Sequence, residues 1–125
     1  RIWDRYGAAL RGWAEGLNIG LPTVPSHCEQ SYHMFYLLMP SPEDRHHFIA
    51  YLREAGILAV FHYLPLHLSP MGRRFGRREG DCPVTERISD CLVRLPFYTD
   101  LTSDDQDLVI EQVCSWRPAL NGGRP

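Results

Sequence analysis

Apolar residues recur at helical spacing from the start of the chain. Ile2, Tyr6, Ala9 and Trp13, joined by Trp3 and Leu10, form one stripe on a helix that Gly16 is expected to stop, and no capping residue precedes it. Residues 17–26 hold Gly20, Pro22 and Pro25 and predict an extended connector with room for a short edge strand. The nearly unbroken apolar run from Tyr32 to Met39 predicts a central strand. Ser41-Pro42-Glu43-Asp44 then has the chemistry of a helix start: a side-chain cap, a proline at the first helical position and acids at the positive end of the dipole. Phe48, Ile49, Leu52 and Ala55 are its expected buried stripe, and Gly56 its end. Ile57 to Tyr63 predicts a second buried strand that turns polar at its C-terminal end, completing a strand–helix–strand unit.

Residues 64–83, with three glycines and three prolines, read as a long loop, and loops above about 12–15 residues in a compact domain are commonly functional or disordered. Ile88, Cys91, Leu92 and Leu95 mark a short helix, and Leu95 to Tyr98 a short extended segment. Thr102 caps a last helix that buries Val109, Ile110, Val113 and Trp116, and residues 118–125 are expected to fray. Strands and helices thus interleave, which is the pattern of an α/β (α+β) domain.

Composition narrows the picture. At 125 residues, 44% hydrophobic and 22% charged, the chain can bury one modest core. Its formal net charge of −2 offers no overall basic field for nucleic acid or an anionic membrane. No apolar run approaches the roughly 18 residues of a membrane span, and no charged-then-apolar leader opens the chain, so a cytoplasmic protein is expected. Cys28, Cys82, Cys91 and Cys114 contain no close C-x-x-C pair and are expected to be reduced and mostly buried. All 13 basic residues are arginine, so the chain has no lysine. Residue 1 is Arg1, already inside a helical pattern, and together these two facts suggest a fragment.

Candidate chemistry gathers where the second strand opens into the loop. His62, Tyr63 and His67 stand there, where a rigid strand can aim side chains and a loop can leave them accessible. A histidine at a strand end can equally serve only to bond backbone. Zinc is the other use for six histidines and four cysteines, yet His62 and His67 are five apart with Pro65 between them, which is not the i, i+4 spacing of a helical pair. His27, Cys28 and His33 bracket a turn and would need distant ligands. The cluster Arg73-Arg74-Phe75-Gly76-Arg77-Arg78 could reach phosphates, although Glu79 and Asp81 partly neutralise it. No G-x-G-x-x-G, P-loop or G-x-S-x-G occurs. From residues alone, the chain is an α/β domain that lends a polar strand end and a loop to a site.

The order of the motifs adds to this: residues 53–67 (Arg-Glu-Ala-Gly-Ile-Leu-Ala-Val-Phe-His-Tyr-Leu-Pro-Leu-His), a loop bearing glycine and arginine, Asp81-Cys82-Pro83-Val84-Thr85-Glu86, then Val93-Arg94-Leu95-Pro96-Phe97-Tyr98 and Leu101-Thr102. In this combination the chain resembles the C-terminal third of the nucleotide-sugar aminotransferases of the DegT/DnrJ/StrS type, over nearly its whole length. Within them, the 59–67 wording and Phe75-Gly76 are most similar to the dTDP-4-amino-4,6-dideoxygalactose transaminases, which aminate a dTDP-4-keto-6-deoxyhexose with glutamate. The resemblance implies the C-terminal small domain of the aspartate-aminotransferase-like fold, with a small, mainly antiparallel sheet covered by helices. It implies residues 1–16 as a helix linking from a large domain and 17–117 as the small domain. It further implies pyridoxal phosphate bound by that large domain, a homodimer with the active site at its interface, and His62, Tyr63 and His67 facing the sugar-nucleotide substrate. The Schiff-base lysine that such chemistry needs is absent here, and arginine cannot replace it, being always protonated and a poor nucleophile. The alternative is a stand-alone, non-catalytic binding or assembly module derived from that domain, on which Trp3, Tyr6 and Trp13 would be exposed and adhesive.

Overall fold

The structure, a computed structural model, describes residues 1–118, so the tail expected to fray lies, from residue 119 on, outside the described residues. Helix α1 spans Ile2–Gly16 and buries Tyr6, Leu10 and Ala14, one step along each turn from the next. Ala9, expected inward, is exposed, and Ala14 occupies the core position instead. Helix α2 spans Pro42–Glu54. Ser41 accepts from the Asp44 amide at 3.0 Å as its cap, and Gly56, at φ +75°, takes the left-handed turn that releases the chain. Phe48 and Leu52 are its buried residues, whereas Ala55 faces solvent. Helix α5, Ser103–Ser115, is capped by Thr102 in the same manner and buries Gln106, Val109 and Val113, with Trp116 buried just beyond.

Three short strands form an antiparallel sheet in the order β1-β3-β2, where β1 is Tyr36–Leu38, β2 is Val60–Phe61 and β3 is Leu92–Arg94. The register sets Tyr36 and Val60 opposite Arg94, and Leu37 and Phe61 opposite Val93. Residues directly opposite share a face. One face therefore presents Leu37 and Val93 to α1, α2 and α5, whose Tyr6, Leu10, Phe48, Leu52, Val109 and Val113 complete the core. The other face carries Tyr36, Leu38, Val60, Leu92 and Arg94, and none of the core helices among the described residues packs on it. This is the small antiparallel sheet with helices that was expected.

Several elements differ from expectation. The run 32–39 is a three-residue strand because Tyr32 sits at φ +49° and breaks the extended backbone, and pairing begins with Phe35, whose carbonyl accepts from the Leu95 amide. Residues 57–63 are not a buried strand. They run to the sheet edge, where Ile57 and Ala59 point inward while Leu58 and Phe61 are 72% and 51% exposed. Residues 64–83 are not all loop, for Leu66–Leu68 forms a 3₁₀ turn and Pro70–Arg74 a short helix, α3, capped by Ser69 onto the Gly72 amide. Leu92 and Leu95 do not belong to a helix: α4 spans Pro83–Cys91, and Leu92 turns to ψ 133° to start the middle strand, which both neighbours need. Leu95 to Tyr98 follows as extended backbone without strand pairing.

Of the four thiols only Cys91 is buried, Cys28 being exposed and Cys82 and Cys114 intermediate, all unpaired. Burial pushes the Cys91 and Cys114 thiols up and keeps them protonated. Tyr6, Trp3 and Trp13 are not an exposed patch, since Tyr6 is fully buried and both tryptophans pack against the core.

Candidate functional site

The segment 62–67 leaves the sheet edge and divides. His62 stays on the face opposite the helices, in a groove of about 440 Å³ that it shares with Gln30, His33, Tyr36, Leu38 and Leu92. Its Nδ1 is buried and takes no hydrogen bond with any described residue. Tyr63 projects outward, 74% exposed. Its ring lies 5.2 Å from the His62 ring, edge to face, and 5.7 Å from the Arg94 guanidinium on β3, so both an imidazole and a cation neighbour it. The Tyr63 carbonyl accepts from Ser89 Oγ at 3.0 Å, which ties this backbone to α4.

His67 goes elsewhere. Pro65 is buried and starts the 3₁₀ turn, which closes through Leu68 and Ser69 amides onto the Pro65 and Leu66 carbonyls. This turns His67 toward α4, where its Nε2 donates to Glu86 Oε1 at 2.7 Å. The same carboxylate accepts the Gly80 amide on both oxygens, at 3.0 Å each, and the Cys82 amide at 3.3 Å. The His67 hydrogen bond first, and the Gly80 amide second, hold the Glu86 carboxyl below the ordinary glutamate range. The predicted residues thus form one pair, His62 with Tyr63, and one separate post, His67 with Glu86.

Glu86 and Arg94 were present in the motifs but not singled out. The signal for Glu86 was an acid one position beyond the usual capping-box glutamate, able to reach back to the amide of the capping residue Cys82. The signal for Arg94 was a charge inside the apolar string Leu-Val-Arg-Leu. A wider groove of about 540 Å³, lined by Leu58, Arg94, Tyr98, Asp105 and Leu108 among others, adjoins the same edge but holds none of the three predicted residues.

The arrangement can bind. Thr23, Gln30, His33, Tyr36 and His62 bring donors and acceptors to a groove whose remaining lining is apolar, a composition suited to a polyhydroxylated ligand. Among the described residues no three His, Cys, Asp or Glu side chains converge as a metal site, so His27, Cys28 and His33 gain no distant ligands there. No described helix is long and apolar enough to cross a membrane.

Comparison with known proteins bears on the reading directly. The description of the DegT/DnrJ/EryC1/StrS aminotransferase family matches residues 1–114. A pleiotropic regulatory protein of Geobacillus stearothermophilus is 30% identical over 97 residues, 77% of this chain and 26% of that protein. The dTDP-3-amino-3,4,6-trideoxy-alpha-D-glucose transaminase of Micromonospora megalomicea subsp. nigra is 31% identical over 114 residues, 90% of this chain and 30% of that one. Among solved structures, S. venezuelae DesV in complex with a ketimine intermediate superposes with a TM-score of 0.73 at 28% identity, covering 90% of this chain and 31% of DesV. The chain therefore spans between a quarter and a third of the length of these relatives. With nine-tenths of its length matched by one family, in sequence and in fold, the chain belongs to the DegT/DnrJ/EryC1/StrS aminotransferase family.

Proposed function

We propose that these residues are the C-terminal part of a pyridoxal-phosphate-dependent sugar aminotransferase, and that they wall the sugar-nucleotide pocket with His62, Tyr63 and His67. The observation that carries the reading is family membership over residues 1–114 in a chain whose His62 lines a groove together with Gln30, His33 and Tyr36. The substrate we propose is a dTDP-4-keto-6-deoxyhexose with glutamate as donor, as in the dTDP-4-amino-4,6-dideoxygalactose transaminases. In this reading α1 (residues 1–16) links to a large domain, residues 17–117 are the small domain, and the complete protein is a cytoplasmic homodimer. Neither nucleic acid nor a membrane takes part.

The residues present do not fit pyridoxal phosphate by themselves. There is no lysine among the 125 residues to form the Schiff base, and the His62–Tyr63 pair offers side chains for a hydroxylated ligand rather than a covalent anchor. The lysine and the cofactor's phosphate site belong, on this proposal, to sequence outside these residues, and the part played here is to position and select the sugar.

The test is to express the chain in frame with the sequence encoded upstream of Arg1. The expected product absorbs as a pyridoxal-phosphate adduct and aminates a dTDP-4-keto-6-deoxyhexose when supplied with glutamate. A folded protein that binds no cofactor would overturn the reading in favour of the non-catalytic module.

A further inference from the structure

Glu86 is surrounded by donors. The Gly80 amide meets both of its oxygens, the Cys82 amide reaches Oε1, and His67 Nε2 makes the shortest of the contacts at 2.7 Å. Backbone amides can only donate, so the carboxylate is placed as an acceptor and the nitrogen facing it must carry the ring proton. In a neutral imidazole the other nitrogen is then an acceptor with a lone pair in the ring plane. That nitrogen, His67 Nδ1, makes no hydrogen bond with any described residue, and it is not among the buried atoms left without a partner.

The ring is also fixed at its base. His67 sits in the 3₁₀ turn Leu66–Leu68, and α3 folds so closely over this turn that a Cβ on Gly72 would lie 2.5 Å from the His67 carbonyl oxygen. A carboxylate needed only to anchor residues 80–82 would be satisfied by the two amides. The additional short bond to a histidine held on a rigid turn is what sets Glu86 apart.

We propose that Glu86 is a positioning residue that locks His67 in its Nε2–H tautomer, leaving Nδ1 as a fixed acceptor for a hydroxyl group of the bound ligand. The ligand class follows from charge: an acceptor nitrogen backed by a carboxylate attracts a neutral hydroxyl donor and repels phosphate or carboxylate. The ligand-facing half of this inference rests on the sugar-pocket function proposed above, while the Glu86–His67 half stands without it.

The experiment uses the protein expressed with its upstream sequence and labelled with ¹⁵N. In the ligand-free wild type, long-range ¹H–¹⁵N correlations of the His67 ring should show one tautomer, with Nε2 protonated. Glu86→Gln should mix the tautomers and raise KM for the sugar nucleotide about tenfold, the scale of one hydrogen bond, with kcat and the donor KM nearly unchanged. His67→Gln is the second variant, keeping an N–H able to reach Glu86 while removing the Nδ1 acceptor. It should leave the amide resonances of Gly80 and Cys82 in place and raise the same KM. A mixed tautomer in the wild type, or a His67 signature unchanged in Glu86→Gln, would overturn the assignment of Glu86. A fixed tautomer with the sugar KM unchanged in both variants would overturn the ligand-facing half. A protein that holds the tautomer but turns over no nucleotide sugar would sink the proposed function and with it that half, while supporting the lock.

Discussion

Glu86 carries a pH dependence whose sign can be worked out. Its carboxyl is held below the ordinary glutamate range in the folded protein, first by the His67 hydrogen bond and then by the Gly80 amide, with partial burial opposing. A depressed folded value means that the folded state binds the proton less readily than the unfolded chain. The contribution of Glu86 is therefore fully present above the ordinary carboxylate range of about 4.3, and it is lost as pH falls through the depressed folded value. Thermal unfolding of the wild type and Glu86→Gln compared across pH isolates this group from the other acids. The wild type should be the more stable at neutral pH, and the gap should narrow as the pH falls below the ordinary carboxylate range. A gap of constant size would show that the carboxylate charge plays no part. Only coordinates bring out this residue, because nothing in the string Cys-Pro-Val-Thr-Glu says that a histidine nineteen positions earlier turns toward it.

At the scale of elements, the turn holding His67 depends on one glycine. A Cβ at Gly72 would lie 2.5 Å from the carbonyl oxygens of both Leu66 and His67, and both are backbone atoms that cannot swing aside. Gly72→Ala should force α3 from the 3₁₀ turn at a cost of about 1–3 kcal/mol, read from the denaturant midpoint, and should shift the His67 ring resonances. Gly7→Ala is the contrast: it meets nothing within 4 Å on α1 and should stabilise by about 0.5–1 kcal/mol. Equal effects from the two would refute the steric argument. The helices were legible where caps and spacing agreed, as at Ser41 with Phe48 and Leu52, or Thr102 with Val109 and Val113. The Ser69-Pro70 start of α3 carried the same signal as Ser41-Pro42 but was hidden by the glycines and prolines around it. Strand β3 was illegible for a different reason. Ile88, Cys91, Leu92 and Leu95 fit helical spacing, and only the need of two edge strands for a partner assigns Leu92–Arg94 to the sheet. His62 and Tyr63 were singled out as candidates from their place at a strand end, whereas the parting of His67 from them depends on a 3₁₀ turn that two or three residues of sequence cannot specify.

For the molecule as a whole, α1 decides whether residues 17–117 can stand as a unit. The sequence resemblance treats residues 1–16 as a link, yet their side chains are set into the core. Tyr6 lies 5.1 Å from the Phe35 ring and donates its hydroxyl to the Pro96 carbonyl at 3.0 Å, while burial holds the phenol far above its ordinary titration range. Trp13 packs against Phe48 and Trp116, and the buried Gln106 amide donates to the Ile2 carbonyl at 2.8 Å. On the solvent side Arg5 pairs with Asp107. Removing residues 1–16 would uncover Phe35, Phe48 and Trp116 and orphan the Gln106 donor and the Pro96 acceptor. Each large buried side chain contributes about 1.5–3 kcal/mol, and Tyr6, Leu10 and the two partly buried tryptophans together amount to much of the roughly 5–15 kcal/mol that holds a domain folded. The deletion should therefore abolish cooperative thermal unfolding and the near-ultraviolet dichroism of the packed aromatics. A sharp transition surviving in residues 17–117 would instead make α1 a separable link. If the transition is lost, any domain continuous with α1 is joined through a helix that is part of this core, and the groove around His62 is then held in a set relation to whatever that helix leads to.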